Sequence, residues 1–217
     1  MPGLDITQFL ITMLILVLSI AVHEFAHAWA ADRLGDPTAR YQGRLTLNPA
    51  VHLDPMGTAM MVFSAFTGYG FGWGKPVPVN PRYLRYGPRL GFGIVAAAGP
   101  LSNLLQAVLW AIPLRLGGLV IPAFFQHILL TGVIVNIILC LFNLIPLYPL
   151  DGYNILRGVL STVPTRWAYD LQGFLDRLQP YGPMIFLLVI LVDQMTPLNI
   201  LGRILGPLAN ALFRLLV

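Results

Sequence analysis

Residues 6–31 read ITQFLITMLILVLSIAVHEFAHAWAA, an apolar stretch with His23-Glu24-Phe25-Ala26-His27 written into its second half. A helix that crosses a bilayer needs about 20 predominantly apolar residues, and this run contains only one charged side chain, Glu24. Glu24 is also the only glutamate in the 217-residue chain. Residues four apart share a helix face, so His23 and His27 can offer two imidazoles to one metal ion. Glu24, next in sequence, stays close enough to handle the proton of an activated water. Zinc suits this set because it accepts imidazole nitrogen and carboxylate oxygen and needs no redox chemistry. The alternative is a His/Glu hydrogen-bond cluster that ties helices together. Ionisable groups inside membrane spans are costly and mark functional sites, which favours metal binding.

Composition extends the membrane reading to the whole chain. Hydrophobic residues make up 57% and charged residues 10%, against about a quarter charged in soluble domains. Residues 90–114 and 116–150 contain no Asp, Glu, Lys or Arg. The first gap fits one span, and the second fits one span and a loop. The opening stretch is longer than a signal-peptide core and lacks a basic start, so it is expected to be retained. Cys140 is the sole cysteine, which excludes an intrachain disulfide and fits a packed position.

The net charge of +4 does not point to nucleic acid, because the arginines and the single lysine are scattered rather than gathered in a stripe. They speak instead to orientation. Arg33, Arg40, Arg44, Lys75, Arg82, Arg85 and Arg89 lie between the first span and residue 90, against Arg115 alone between the next two spans. The positive-inside rule then turns the end of the first helix toward the cytoplasm.

Between the first span and residue 90 the chain is turn-rich. Tyr41-Gln-Gly-Arg-Leu-Thr-Leu47 partly alternates and stops at Asn48-Pro49, which predicts a short strand. Residues 56–74 are free of charge but interrupted by Gly68, Gly70, Gly72 and Gly74. A helix of about ten residues fits there, too short to cross, so a re-entrant or interfacial segment is expected. The proline-stiffened run from Lys75 to Pro81 is extended. Residues 151–180 suggest an amphipathic helix on the cytoplasmic face, Pro183–Val192 is apolar but short, and Leu198–Val217 is long enough to span. The expected fold is an all-α polytopic membrane protein with about four to five transmembrane helices and a short β/re-entrant region after the first.

A catalytic zinc usually takes three protein ligands and keeps one position open. His52, His127 and several aspartates are candidates for the third. Asp151 stands out because it follows a charge-free run directly, in FNLIPLYPLDG, whose prolines leave it on unwound backbone free to turn inward.

Five blocks in order, HEFAH, GRLTLNP with His52 and Asp54-Pro55 after it, GWGKPVPVNP, AAAGPLSN and FNLIPLYPLDG, resemble the site-2 protease family of intramembrane zinc metalloproteases. The resemblance covers most of residues 15–160. It implies one zinc per chain held by His23, His27 and Asp151, Glu24 as the catalytic residue, and Asn103 and Asn143 lining the site or contacting substrate. The LDG block continues with Tyr153 and Asn154, where members often carry a glycine and an arginine, so no role for these two follows from it.

The implied arrangement is one membrane-embedded metalloprotease domain over 1–217. It has the HExxH helix at 1–31, a strand/re-entrant region at 32–89, core helices and LDG motif at 90–160, and C-terminal helices at 161–217. An even number of crossings must separate His27 from Asp151 if both meet one ion, and spans at 90–114 and about 122–147 supply two. The expected partners are a transmembrane protein substrate and the lipid bilayer, with the reaction being hydrolysis of a peptide bond within or beside the substrate's span. The 41–47 strand or the Pro76–Pro81 run is a candidate to hold the opened peptide as an added strand. An inactive membrane scaffold and a metal transporter are the competing readings. Transport sites generally use several acidic groups and repeated halves, and neither is visible here. His52 and Asp54 read as loop anchors, and Asn103 and Asn143 have an alternative use as hydrogen-bond partners between helices.

Overall fold

A computed structural model describes residues 6–67, 72–116 and 120–217. The first helix, α1 (Ile6–Arg33), has 28 residues, about 42 Å of rise, more than a hydrocarbon core of about 30 Å demands. Its end is written in the sequence. Gly35 adopts φ +104°, the Asp36 N–H donates to the Ala31 carbonyl at 2.9 Å, and the Gly35 N–H donates to Asp32 at 3.1 Å. These are the paired bonds of a Schellman cap.

A single turn, α2 (Thr38–Tyr41), leads to α3 (Pro55–Thr67). The Asp54 carboxylate caps α3 by accepting the Gly57 N–H at 2.8 Å, with Pro55 at the first helical position where its missing N–H is harmless. Next come α4 (Leu90–Arg115), α5 (Ala123–Asn143), α6 (Asp151–Leu160), α7 (Arg166–Leu178), α8 (Gly182–Met195) and α9 (Ile200–Leu216). A 3-10 turn at Gln179–Tyr181 joins α7 to α8. Among the described residues four stretches are long and apolar enough to cross a membrane: α1, α4, α5 and Arg166–Met195. The chain is a multi-pass membrane protein. The last helix, at 17 residues, is instead amphipathic, and it lays Ala209, Leu212, Phe213 and Leu216 on Ala107, Ala111, Val133 and Ile137 of α4 and α5.

α4 is the hub, packed on α1, α5 and α6. It meets α6 backbone to backbone: a Cβ on Gly93 would lie 2.9 Å from the Gly158 Cα. The bundle has the polarity pattern of a membrane protein. Ile6, Leu10, Leu14 and Leu18 form an exposed stripe along α1, while Ser19, His23, His27, Asn103, Thr131 and Asn136 are buried. In water such a stripe would invite association; in lipid it faces its natural solvent.

The expected β/re-entrant region after the first helix is corrected by the structure: no strand forms among the described residues. Among the described residues the β pairing is an isolated bridge between Leu53 and Gly74. The cause lies in where residues 41–47 send their polar groups. Tyr41 still belongs to α2, Gly43 turns the chain at φ +67°, and the Arg44 N–H bonds back to Ala39 at 2.8 Å. The Arg44 guanidinium donates to the Lys75 carbonyl at 2.6 Å, and the His52 imidazole donates to the Thr46 carbonyl at 2.7 Å. The neighbouring run from Lys75 to Asn80 carries prolines at 76 and 78, which have no N–H to give a ladder. Gly68 and Gly70 lie outside the described residues. The helix preceding them is α3, of 13 residues, shorter than a span.

Candidate metal centre

His23 and His27 project from one face of α1 toward α4 and are both buried, each 7% exposed. Asp151 comes from α6, where it is the first helical residue rather than part of unwound backbone. A carboxylate in that position also answers the positive end of the helix. Among the described residues these three are the metal-ligating side chains whose donor atoms cluster. The Asp151 Oδ2 atom lies 3.2 Å from His23 Nε2 and 3.3 Å from His27 Nε2, and the two Nε2 atoms are 3.0 Å apart. Ligands at zinc distances of about 2.0–2.2 Å in a tetrahedron stand about 3.3–3.5 Å from one another. The triangle, with sides of 3.0, 3.2 and 3.3 Å, is close to that size and slightly tighter.

The other ring nitrogens decide what faces the centre. His27 Nδ1 lies 2.8 Å from the Val95 carbonyl, which can only accept, so Nδ1 carries the proton and Nε2 presents a lone pair. His23 Nδ1 lies 2.6 Å from Asn103 Oδ1 and is likewise the donor. Asp151 Oδ2 is buried and takes no hydrogen bond. Three lone pairs therefore converge on one point. Only a cation, a proton or a metal ion, holds such a set together, and two imidazoles with one carboxylate form a zinc donor set.

α4 sits close over this triangle. A Cβ on Gly99 would fall 2.4 Å from His27 Nε2 and 2.6 Å from His23 Cε1, so only glycine lets the helix press on both rings. Pro100 follows and removes the N–H that would bond the Ala96 carbonyl, within a turn of the Val95 carbonyl that holds His27.

Glu24 turns to the loop side of α1, half-buried, and its Oε2 accepts the Val77 N–H at 3.2 Å. The segment that supplies this N–H is held from behind by Arg44 on the Lys75 carbonyl and by Asp36, whose Oδ2 accepts the Asn80 N–H at 2.6 Å. Burial lowers the Arg44 guanidinium from its ordinary value, and the Glu24 carboxylate works against that fall.

The remaining sequence candidates separate. Asn103 is fully buried behind His23 and gives an amide N–H to Asn136 at 3.0 Å. Asn143 is half-buried at the end of α5, with an N–H on the Leu139 carbonyl at 3.0 Å. His52 is fully buried and bonded to Thr46, and Asp54 caps α3. His127 is exposed on α5 beside Gln8. Tyr153 packs α6 on α7, its hydroxyl donating to the Leu175 carbonyl at 3.0 Å. Sequence reasoning missed Asn136, Gly99 and the Val77 N–H. Asn136 carried a signal, being a polar side chain in the charge-free run 116–150.

A protein of Bacillus subtilis (strain 168) named "Putative zinc metalloprotease YwhC" is 37% identical over 203 residues, covering 90% of this chain and 84% of its own length. "Putative zinc metalloprotease Rip2" of Mycobacterium tuberculosis (strain ATCC 35801 / TMC 107 / Erdman) is 29% identical over 212 residues, covering 78% and 76%. Rip2 of Mycolicibacterium smegmatis (strain ATCC 700084 / mc(2)155), with the same description, is 32% identical over 149 residues, covering 67% of this chain and 55% of its own length. No family model and no solved structure matches the chain. With nine-tenths of its length matched to YwhC and two imidazoles and a carboxylate clustered at its centre, this chain belongs to the zinc-metalloprotease family of YwhC and Rip2.

Proposed function

We propose that the protein is an intramembrane endopeptidase of the site-2 protease type, hydrolysing a peptide bond within or beside a transmembrane segment of another membrane protein. The observation that carries this reading is the convergence of three lone pairs, from His23, His27 and Asp151, inside a bundle of apolar helices and next in sequence to the chain's one glutamate. One zinc ion held there supplies Lewis acidity, bringing the pKa of water toward about 7. Glu24 takes the proton released as water attacks and returns it to the leaving amine, base first and acid second. The Val77 N–H steadies the Glu24 carboxylate meanwhile. Asn143 commits one amide N–H to Leu139 and has a second for the developing oxyanion. Asn103 has its oxygen and one N–H engaged by His23 and Asn136, and its work is on the ligand. The extended run from Lys75 to Asn80, held against Glu24, is where an unwound peptide would lie. The end of α1 that carries the site faces the cytoplasm, in keeping with the basic residues that follow it.

Zinc content and hydrolysis are measured together, on detergent-purified wild type, Glu24→Gln and Asp151→Ala, with a single-span protein in vesicles as substrate. Wild type should hold about one zinc per chain and cut, Glu24→Gln should hold zinc without cutting, and Asp151→Ala should do neither. Zinc flux across the vesicle without cutting would replace the peptidase by a transporter. A folded wild type without zinc would replace it by a scaffold.

A further inference from the structure

Behind His23 a chain of hydrogen bonds crosses three helices and ends on a backbone carbonyl. Asn136 on α5 gives its amide N–H groups to the Gly132 carbonyl and the Ser19 hydroxyl, each at 3.0 Å. A carbonyl accepts only, which fixes which end of the Asn136 amide is nitrogen. The Asn136 oxygen must then face Asn103, whose N–H it accepts at 3.0 Å. That in turn fixes the Asn103 oxygen on His23 Nδ1, at 2.6 Å. An oxygen there requires a proton on Nδ1, and a neutral imidazole protonated at Nδ1 has its lone pair on Nε2. Asn103 and Asn136 are both 0% exposed and Ser19 is 1% exposed, so water does not compete for any link.

We infer that Asn136 is a positioning residue for the metal site: through Asn103 it sets the tautomer of His23, and thereby whether His23 is a ligand at all. The contrast with His27 supports this. His27 leans directly on a carbonyl, Val95, which cannot be misoriented. His23 leans on an amide, whose two ends are similar in size and opposite in role. With the Asn103 amide turned round, its N–H group would face Nδ1 and force the proton to Nε2, where it would point at Asp151. Asn136 is the group that forbids this turn. Partners that orient a ligating histidine typically alter metal affinity by about 10–100-fold when removed.

The inference rests on the reading of His23, His27 and Asp151 as ligands, and the experiment keeps the two apart. Zinc affinity is measured by chelator competition on purified wild type, Asn136→Leu and Asn136→Asp, with folding checked by thermal unfolding. The His23 tautomer is read by 15N NMR on zinc-free, histidine-labelled protein. Asn136→Leu should weaken zinc about 10–100-fold and move His23 from the Nδ1–H form toward a mixture. Asn136→Asp should restore both, because a protonated carboxyl gives its O–H to the Gly132 carbonyl and keeps its other oxygen, an acceptor, for Asn103. Unchanged affinity and tautomer in folded Asn136→Leu would overturn the inference, as would equal losses in both variants, which mark a purely structural role. If Asn136→Leu does not fold, wild-type values in Asn136→Asp support the relay and loss in that variant refutes it. A wild type that binds no zinc defeats the ligand reading alone, since the tautomer measurement still decides the relay.

Discussion

The two sides of α1 at its HExxH turn are built on different principles. Toward the bundle, His23 and His27 meet side chains and carbonyls carried by the long helices α4, α5 and α6, and nearly every partner is buried. Toward the loops, Glu24 meets a backbone N–H of an irregular segment that is itself held by side chains, Arg44 and Asp36. The bundle side fixes atoms to one another through rigid elements. The loop side fixes a strip of backbone through single bonds. A metal set needs the first kind of support, because its geometry tolerates little displacement. Under the proposed function Glu24 would exchange protons beside an entering peptide, a task served by the second.

That contrast predicts unequal penalties, the largest on the bundle side. Asp151→Ala should take zinc from about one per chain to near zero. Glu24→Gln should leave zinc in place and lower hydrolysis by about 10²–10⁴-fold, the usual worth of a positioned acid–base group. If Glu24→Gln also lost zinc, the two sides would not be independent and the comparison would fail. Gly99→Ala tests the close approach of α4. The new methyl carbon would begin 2.4 Å from His27 Nε2, so the rings must move or the helix must retreat. We expect about 1–3 kcal/mol of destabilisation from such overpacking, together with weakened zinc binding in chelator competition. Wild-type zinc affinity in Gly99→Ala would show that the centre is softer than its packing implies.

The same contrast explains what the sequence made legible. Spans were readable because a charge-free run of sufficient length has one physical use in a bilayer: the gap at 90–114 holds all of α4 but its last residue, Arg115, and the gap at 116–150 contains α5. The two histidines were readable because their spacing is local to one helix. The charge-free run before Asp151 singles it out, but only the family resemblance chooses it over His52, His127 and the other aspartates, and the backbone expected to be unwound there is the first turn of α6. Asn136 escaped because its meaning lies in contacts with residues 33 and 117 positions away. Residues 41–47 were misread as a strand for a related reason: the alternation is real, but the partners that claim its polar groups, His52 and the Lys75 carbonyl among them, sit elsewhere in the chain. Periodicity reports which face is apolar, and cannot report that a neighbour is proline-rich and offers no ladder.

On the loop side, the sharper test is Val77→Pro. Residue 77 lies between Pro76 and Pro78, so a proline there suits an already stiffened backbone and chiefly deletes the N–H that reaches Glu24. A hydrogen bond to a charged group contributes about 1.5–3 kcal/mol, which corresponds to a loss of about 10–100-fold in hydrolysis with zinc affinity unchanged. A variant that cuts at the wild-type rate would show that Glu24 needs no backbone support.

The smallest expected effect lies farthest from the metal. Asp54 caps α3 through the Gly57 N–H, and the isolated Leu53–Gly74 bridge lies next to it. Asp54→Ala should cost about 1 kcal/mol of stability, the ordinary worth of an N-cap, seen as a lower unfolding temperature. Zinc affinity should not change, because no link in the bundle-side network passes through α3. Hydrolysis should fall only as far as the slackened loop lets the Lys75–Asn80 strip move off Glu24. A loss of zinc in Asp54→Ala would mean that the loops carry load for the metal after all, and that the two sides of α1 are one structure.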